Sequence, residues 1–456
     1  VSRLGAFVLL ALVQDAGQEW TDRWGKLLKK AAEEHSKLGD YLDGARMHKW
    51  ARLEFEMAAE LNPENEHARK KLQGGETENK KTGDDAKKVD EEYRKRKQKT
   101  SKQLSSSFTE LAEWAKSQGL NAEAQLAYGR ALDYDADNAK AREALGFVKE
   151  KDKWISPWEK SIKAEFKDGS ARATQGAEDA APTPVEKSVG ATHARRKTPQ
   201  FLAESPHLTQ VQLSRCIQLA EHSVAMYQKL FNLSASPIPT AKWPMNHILL
   251  KTKEQHEAFI DKYDNRSEEI KKAVKNMAAS TNSDPPRGEC WQGPRPDLFV
   301  YDFVIHSTVH ALSSWHIKGA RAWLREGMAY YFTRLMNDSA AVHCVNFEGT
   351  KTEGGKNFRD PGNWPAIVRD WMRAGNDPDI GAVVKVALND LTPERTVKAW
   401  SLIDFMFAEH RDRWIEMHKE LLADPKDTGE KALQKVFKWS LEELDARWKD
   451  WARSAY

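Results

Sequence analysis

The sequence predicts a mainly α-helical protein with a small sheet, an α+β chain whose 456 residues suffice for two or three domains. Three observations carry that prediction. Apolar residues recur at helical spacing through VQLSRCIQLAEHSVAMYQKLFNL and through DFVIHSTVHALSSWHIKGARAWLREGMAYYF. The first third of the chain holds two helical stretches of one design, and the last sixty or so residues break into further amphipathic segments. NHILLKT, from Asn246, alternates apolar and polar residues as a half-buried strand does.

The N-terminal elements come first. VSRLGAFVLLALVQDAG has one positive residue, Arg3, ahead of a nine-residue apolar run from Gly5 to Val13, too short to span a bilayer. Residues 1–17 therefore read as a signal peptide, with a buried N-terminal helix as the alternative. No other apolar run is long enough to cross a membrane. A net charge of +3 with 30% charged residues makes no electrostatic case for nucleic acid as a partner. Most of the 17 Trp sit at helical spacing beside apolar or basic residues, as in Trp20 and Trp24 or Trp448 and Trp451, and read as helix-packing anchors. Cys216, Cys290 and Cys344 are widely spaced, allowing one disulfide with one thiol left over, and no CxxC motif is present.

Residues 18–160 form the repeated helical region. Ala58, Asn65, Ala68, Arg69 and Leu72 recur 73 residues later as Ala131, Asn138, Ala141, Arg142 and Leu145. Leu38, Gly39, Ala51, Phe55, Ala58 and Pro63 in one copy, and Leu111, Ala112, Ala124, Tyr128, Ala131 and Ala136 in the other, alternate small and large residues. Small residues let antiparallel helices approach and the aromatic fills the gap between them. This pattern resembles the tetratricopeptide repeat, which implies helical hairpins serving as a peptide-binding groove or as a structural arm. The charged insertion at 73–102 separates the copies; its first half is expected to be disordered and its second half to extend the next helix. The basic run RKRKQK within it reads as a solvated helix face. Residues 161–197, rich in Gly, Ala, Ser, Thr and Pro, read as a flexible linker and domain boundary.

The remaining domain, 198–456, opens with the amphipathic helix from Val211, then the NHILLKT strand and a helix over EQHEAFIDKYD. A helix is expected to start near Asp297, after Pro296, and to run through Ser314. Another carries WLREGMAYYF to about Met336, followed by the polar, glycine-rich loop FEGTKTEGGKNFRDPGNW. Helices over TVKAWSLIDFMFAEH, RWIEMHKELLAD, GEKALQKVF and LEELDARWKDWAR end the chain, the last with Ser440 and Glu443 as a capping box.

Two of these helices carry the candidate chemistry. His306 and His310 are four residues apart, so their imidazoles share one helix face about 6 Å apart. Such a pair holds a zinc ion when a third ligand joins it, and Glu326 lies on the next helix, 16 residues past His310. The stretch HSTVHAL…WLREGMAYY resembles the HExxH zinc metallopeptidases of the gluzincin group, and specifically the bacterial peptidase-MA-like domains. The resemblance implies a thermolysin-like zincin domain with a small sheet ahead of the zinc helix. It also implies zinc held by His306, His310 and Glu326.

Two positions depart from the family pattern. Ser307 stands where the family has its glutamate general base, and a hydroxyl is no base near neutral pH. Losing such a base costs about 10²–10⁴-fold in rate. Asp302, one turn before His306, is the nearest candidate substitute. Tyr330 stands four positions after Glu326, where the family commonly has an acidic residue that orients a ligand histidine; a phenol accepts a hydrogen bond but brings no charge. The expectation is an exported bacterial zinc metallopeptidase homologue, periplasmic or extracellular, catalytically impaired and acting as a binding or scaffold module for a protein or peptide. An active peptidase using another base and a metal-free helical scaffold are the alternatives.

Overall fold

The computed structural model describes residues 3–74, 79–80, 83–150, 153–172, 178–233, 244–283, 285–316, 322–342, 344, 358, 360–424 and 426–456. It is mainly α-helical with a small mixed sheet. Two units emerge: one of Val1–Pro157, Arg369–Asn376 and Asp450–Tyr456, the other of Trp158–Val368 and Asp377–Lys449.

The first unit contains α1 (Arg3–Gly44), α2 (His48–Leu61), α3 (Glu66–Gln73), α4 (Gly83–Ser117), α5 (Asn121–Tyr134), α6 (Ala139–Ala144) and the hairpin β1 (Val148–Glu150)–β2 (Lys153–Ile155). Helix α1 is continuous through the apolar run read as a signal peptide. It packs on α2 as α4 packs on α5. The helices of the first pair approach so closely at Gly39 that a Cβ there would lie 2.7 Å from the Phe55 ring. The equivalent places in the second pair hold buried Ala112 and Tyr128. The repeated asparagines explain themselves. Asn65 caps α3 by accepting from Ala68 N and donates to Ser36 Oγ at 3.1 Å. Asn138 caps α6 by accepting from Ala141 N and donates to Ser105 Oγ and Thr109 Oγ1, each at 2.9 Å.

The charged insertion is helical from Gly83 onward, and residues 75–78 and 81–82 lie outside the described ones. Within RKRKQK, Arg94 and Arg96 pair with Asp90 and Glu92 on the same helix, as a solvated face does. Lys97 instead reaches the buried Glu54 at 2.7 Å, which also holds His35 at 2.7 Å and accepts from Tyr93 Oη. Burial alone would raise the Glu54 carboxyl, but Lys97 and His35 bring it down to about 2.

The other elements are α7 (Pro157–Arg172), α8 (Pro184–Val189), β3 (Ala194–Lys197), β4 (Phe201–Ser205), α9 (Gln210–Leu230), β5 (Met245–Leu250), α10 (Lys253–Lys262), α11 (Glu268–Val274), β6 (Ala279–Ser283) and β7 (Pro286–Trp291). They continue with α12 (Asp297–His316), α13 (Ala322–Asn337), α14 (Trp364–Ala374), α15 (Ile380–Val384), α16 (Pro393–Ala423), α17 (Glu430–Phe437) and α18 (Leu441–Ala455). The sheet order is β3-β4-β5-β7-β6, with β4, β5 and β7 parallel and both edge strands antiparallel. Helices α8, α10 and α11 contribute to the core built on Ile248 and Leu250, while α12 packs against α9, β6, β7 and α13. Helix α16 bends at His410, where the sequence pattern separates its two helical halves.

Three expectations change. Residues 161–197, read as a flexible linker, carry the rest of α7, then α8 and β3; residues 173–177 lie outside the described ones. Pro184 opens α8, Gly190 closes it with a positive φ of 71°, and β3 satisfies its backbone on β4. Composition hid this because the anchors are single residues: Val185, fully buried, and Arg195, paired with Glu186. The NHILLKT strand exists but is not half-buried. His247, Ile248, Leu249 and Leu250 are all 0% exposed, because β5 is a central strand covered on both faces. All three cysteines are free thiols, so no disulfide forms among them. The Ser440–Glu443 capping box is present, with Ser440 N donating to Glu443 and Glu443 N donating to Ser440 Oγ.

His256 on α10 is fully buried and neither ring nitrogen has a hydrogen-bond partner. Burial pushes this imidazole down to about 4. Above pH about 6.5 it is neutral folded and unfolded. As pH falls from there towards 4, the unfolded chain takes up a proton that the folded chain refuses, so stability drops and then levels off. His256→Phe should flatten the decline of Tm with pH in that window relative to the parent protein, as followed by thermal melts between pH 7 and pH 4.

Candidate metal centre

Helix α12 runs from Asp297 to His316 with nearly every residue between Phe299 and Leu312 buried, because it is covered by α9, the sheet and α13. His306 and His310 lie on its α13-facing side, with ring centroids 4.4 Å apart. Helix α13 reaches them because Gly327 removes a side chain where α13 meets α16. A Cβ at position 327 would lie 2.8 Å from both Ala399 O and Ile403 Cγ1. That close contact seats the neighbouring Glu326 against the two imidazoles.

Glu326 Oε1 lies 3.0 Å from His310 Nε2, and Oε2 lies 3.4 Å from His306 Nε2. A fourth donor joins them. Cys344 Sγ is 3.2 Å from His306 Nε2, and the four ligand atoms lie within 4.8 Å of one another. Four donors around one zinc at about 2.0–2.3 Å stand about 3.3–3.7 Å apart, a little wider than the 3.0, 3.2 and 3.4 Å found here. His306, His310, Glu326 and Cys344 thus form a cluster able to coordinate a metal ion.

The donor atoms crowd together without well-aligned hydrogen bonds. His310 Nε2 and both Glu326 oxygens are buried and have no hydrogen-bond partner, despite the short distances between them. Groups this close but poorly aligned for hydrogen bonds leave lone pairs that an ion between them could take up. The other fully buried glutamates each have hydrogen-bond partners. Glu54 has Lys97, His35 and Tyr93; Glu204 has Thr183 and Asn246; Glu289 has Ser280 and Arg266. Burial pushes His310 down to about 4, so its imidazole is neutral at neutral pH, the form that binds metal. Burial beside Glu326 pushes the Cys344 thiol well up, and a bound cation would offset that.

The other expected residues take definite places. Ser307 does not face the cluster. It donates to Val304 O at 3.2 Å, sits 3.4 Å from His247 Nδ1 and packs on β7, where a Cβ on Gly288 would lie 3.0 Å from its Oγ. Asp302, the candidate replacement base, is fully buried and committed elsewhere: it accepts from Asn337 Nδ2, Ser339 Oγ and Ala341 N at 2.6–2.9 Å. It therefore pins the segment after α13. Tyr330 sets its ring edge-on to His306 at 5.1 Å, and its Oη accepts from Cys344 N at 3.3 Å. It orients the histidine by contact rather than by charge. The glycine-rich loop beginning at Phe347 lies outside the described residues for most of its length.

Sequence reasoning missed Cys344. Its only signal is a lone cysteine 18 residues after Glu326, a separation that a loop can close in many ways. No family model matches this chain, and no curated protein matches it. Among the described residues no helix is long and apolar enough to cross a membrane.

Gly327→Ala should force α13 away from α16, costing roughly 1–3 kcal/mol of stability. Because Glu326 moves with that backbone, zinc affinity measured by competitive titration should fall together with Tm. An unchanged affinity would show that the ligand position does not depend on this contact.

Proposed function

We propose that this chain is a zinc-binding, catalytically impaired homologue of the gluzincin metallopeptidases, related to the peptidase-MA-like domains. In this reading the second unit is a thermolysin-like zincin and the first a tetratricopeptide-like arm. The protein is exported from a bacterial cell and acts as a binding or scaffold module for a protein or peptide. The observation that carries the reading is the convergence of His306 and His310, from α12, with Glu326, from α13, around orphaned buried ligand atoms. The repeated hairpins, with Gly39 against Phe55 and the asparagine caps, support the arm.

What this chain's residues do at the centre follows from their placement. His306, His310 and Glu326 hold the ion, which when bound supplies the positive charge that the buried carboxylate lacks. Tyr330 fixes the His306 ring, and Asp302 fixes the chain leaving α13. Neither Ser307 nor Asp302 is placed to take a proton from an attacking water. Ser307 is turned to β7, and the carboxylate of Asp302 has three donors of its own. The active-peptidase alternative therefore loses Asp302 as its base and is left with a carboxylate of the loop after Cys344, which lies outside the described residues.

Metal analysis after equilibration with zinc and desalting should find one zinc per chain. His306→Ala and Glu326→Gln should each reduce that to a small fraction, and zinc at 100 times its Kd should stabilise the parent by about 2.7 kcal/mol. Hydrolysis of a mixed peptide library should stay at the level of the His306→Ala protein. Turnover that His306→Ala abolishes would overturn the impaired reading, and absence of zinc from the parent would favour a metal-free scaffold.

Restoring a glutamate gives a further check. Ser307→Glu should lower Tm, because the larger acidic side chain enters the crowded space beside Gly288 and His247, and it should restore no turnover. Calorimetry and the same peptide library measure both outcomes.

A further inference from the structure

The geometry points to Cys344 as the fourth protein ligand of the metal, which makes this a closed site whose one replaceable member is the thiol. This inference rests on the zinc-binding reading above and specifies what fills the position that a catalytic zinc keeps open.

Four observations carry it. Cys344 Sγ stands 3.2 Å from His306 Nε2, the spacing of two ligands on one ion. The atoms that it would join, a Glu326 oxygen and His310 Nε2, are buried, lie within 4.8 Å of it and of each other, and make no well-aligned hydrogen bond. The thiol is also brought there by built contacts. Asp338 turns the chain out of α13 with a positive φ of 50°, Asp302 accepts from Ser339 Oγ and Ala341 N, and Tyr330 Oη accepts from Cys344 N. Asp302 and Tyr330, the two positions that catalysis leaves unused, are thereby positioning residues for Cys344. Lastly, the ligands differ in access. His306, His310 and Glu326 are at most 5% exposed and lie on helices, whereas Cys344 is an exposed residue on irregular chain.

A donor set of two imidazoles, one carboxylate and one thiolate satisfies zinc's tetrahedral preference completely. Binding displaces the thiol proton to solvent, and the ion then ties α12, α13 and the segment ending at Cys344 together. No position remains for a substrate carbonyl or a small anion. Removing the thiol leaves three protein ligands and one vacant position, open to a monodentate anion.

Cobalt(II) in place of zinc reads this out without any catalytic assay. The parent protein should hold one cobalt per chain and show a thiolate-to-cobalt charge-transfer band in the near ultraviolet, with the intense visible bands of a tetrahedral ion. Cys344→Ser should still hold cobalt but lose the charge-transfer band. Added azide should shift the visible spectrum of Cys344→Ser and leave the parent unchanged. Cobalt bound by the parent with no thiolate band, or an azide response equal in both proteins, would overturn the inference while leaving the three-ligand site standing. Failure of the parent to hold cobalt at all would overturn both.

A second measurement needs no variant. Under alkaline conditions, needed because Glu326 and burial of the sulfur keep this thiol protonated, iodoacetamide should alkylate Cys344 of the metal-free protein ahead of the buried Cys216 and Cys290, and zinc should slow that reaction at least tenfold. Equal rates with and without zinc would exclude the thiol as a ligand.

Discussion

A buried carboxylate set against two imidazoles and a thiol is the constraint around which the centre of the second unit is arranged. Burying an ionised group costs several kcal/mol unless a partner offsets it. Glu326 is 0% exposed, and among the described residues its close polar neighbours are His306, His310 and Cys344, each of which also carries a lone pair able to bind metal. Glu54, in the first unit, meets the same problem with a lysine, a histidine and a tyrosine. One buried glutamate is thus met by protein cations and a hydroxyl, and the other lies in a cluster able to coordinate a metal ion.

The elements around Glu326 follow from that need. Helix α13 must lie close enough to α12 for a short side chain to bridge them, so Gly327 stands where α13 touches α16. Helix α12 must be rigid, so it is covered by the sheet, α9 and α13 and buried along almost its whole length. Its polar groups are settled locally: Ser307 and Thr308 both donate to Val304 O and flank the neutral, buried His247 of β5. Ser307 is thereby part of the helix–sheet contact.

The two departures from the metallopeptidase pattern have a common consequence. Tyr330 takes the place of a charge with a ring that rests against His306 and a hydroxyl that holds the backbone of Cys344. Asp302 spends its carboxylate on the chain leading to the same cysteine. Both side chains hold the chain segment that places the Cys344 thiol beside the histidines.

Local pattern was enough to read most of the long helices, the strand at Asn246, the Ser440 cap, the repeat and the proximity of His306, His310 and Glu326. Each depends on spacings within one helix, one strand or two successive helices, where 3.6-residue and 2-residue periods apply. What needed tertiary structure was everything set by contacts between distant residues. The order of the 161–197 segment rests on β3 pairing with β4, and the full burial of β5 on its central place in the sheet. Asp302 looked like a free acid until its three donors, 35–39 residues away, were in place. Cys344 could not be read at all, because a ligand on irregular chain has no period, and only the path out of α13 brings its sulfur to the histidines.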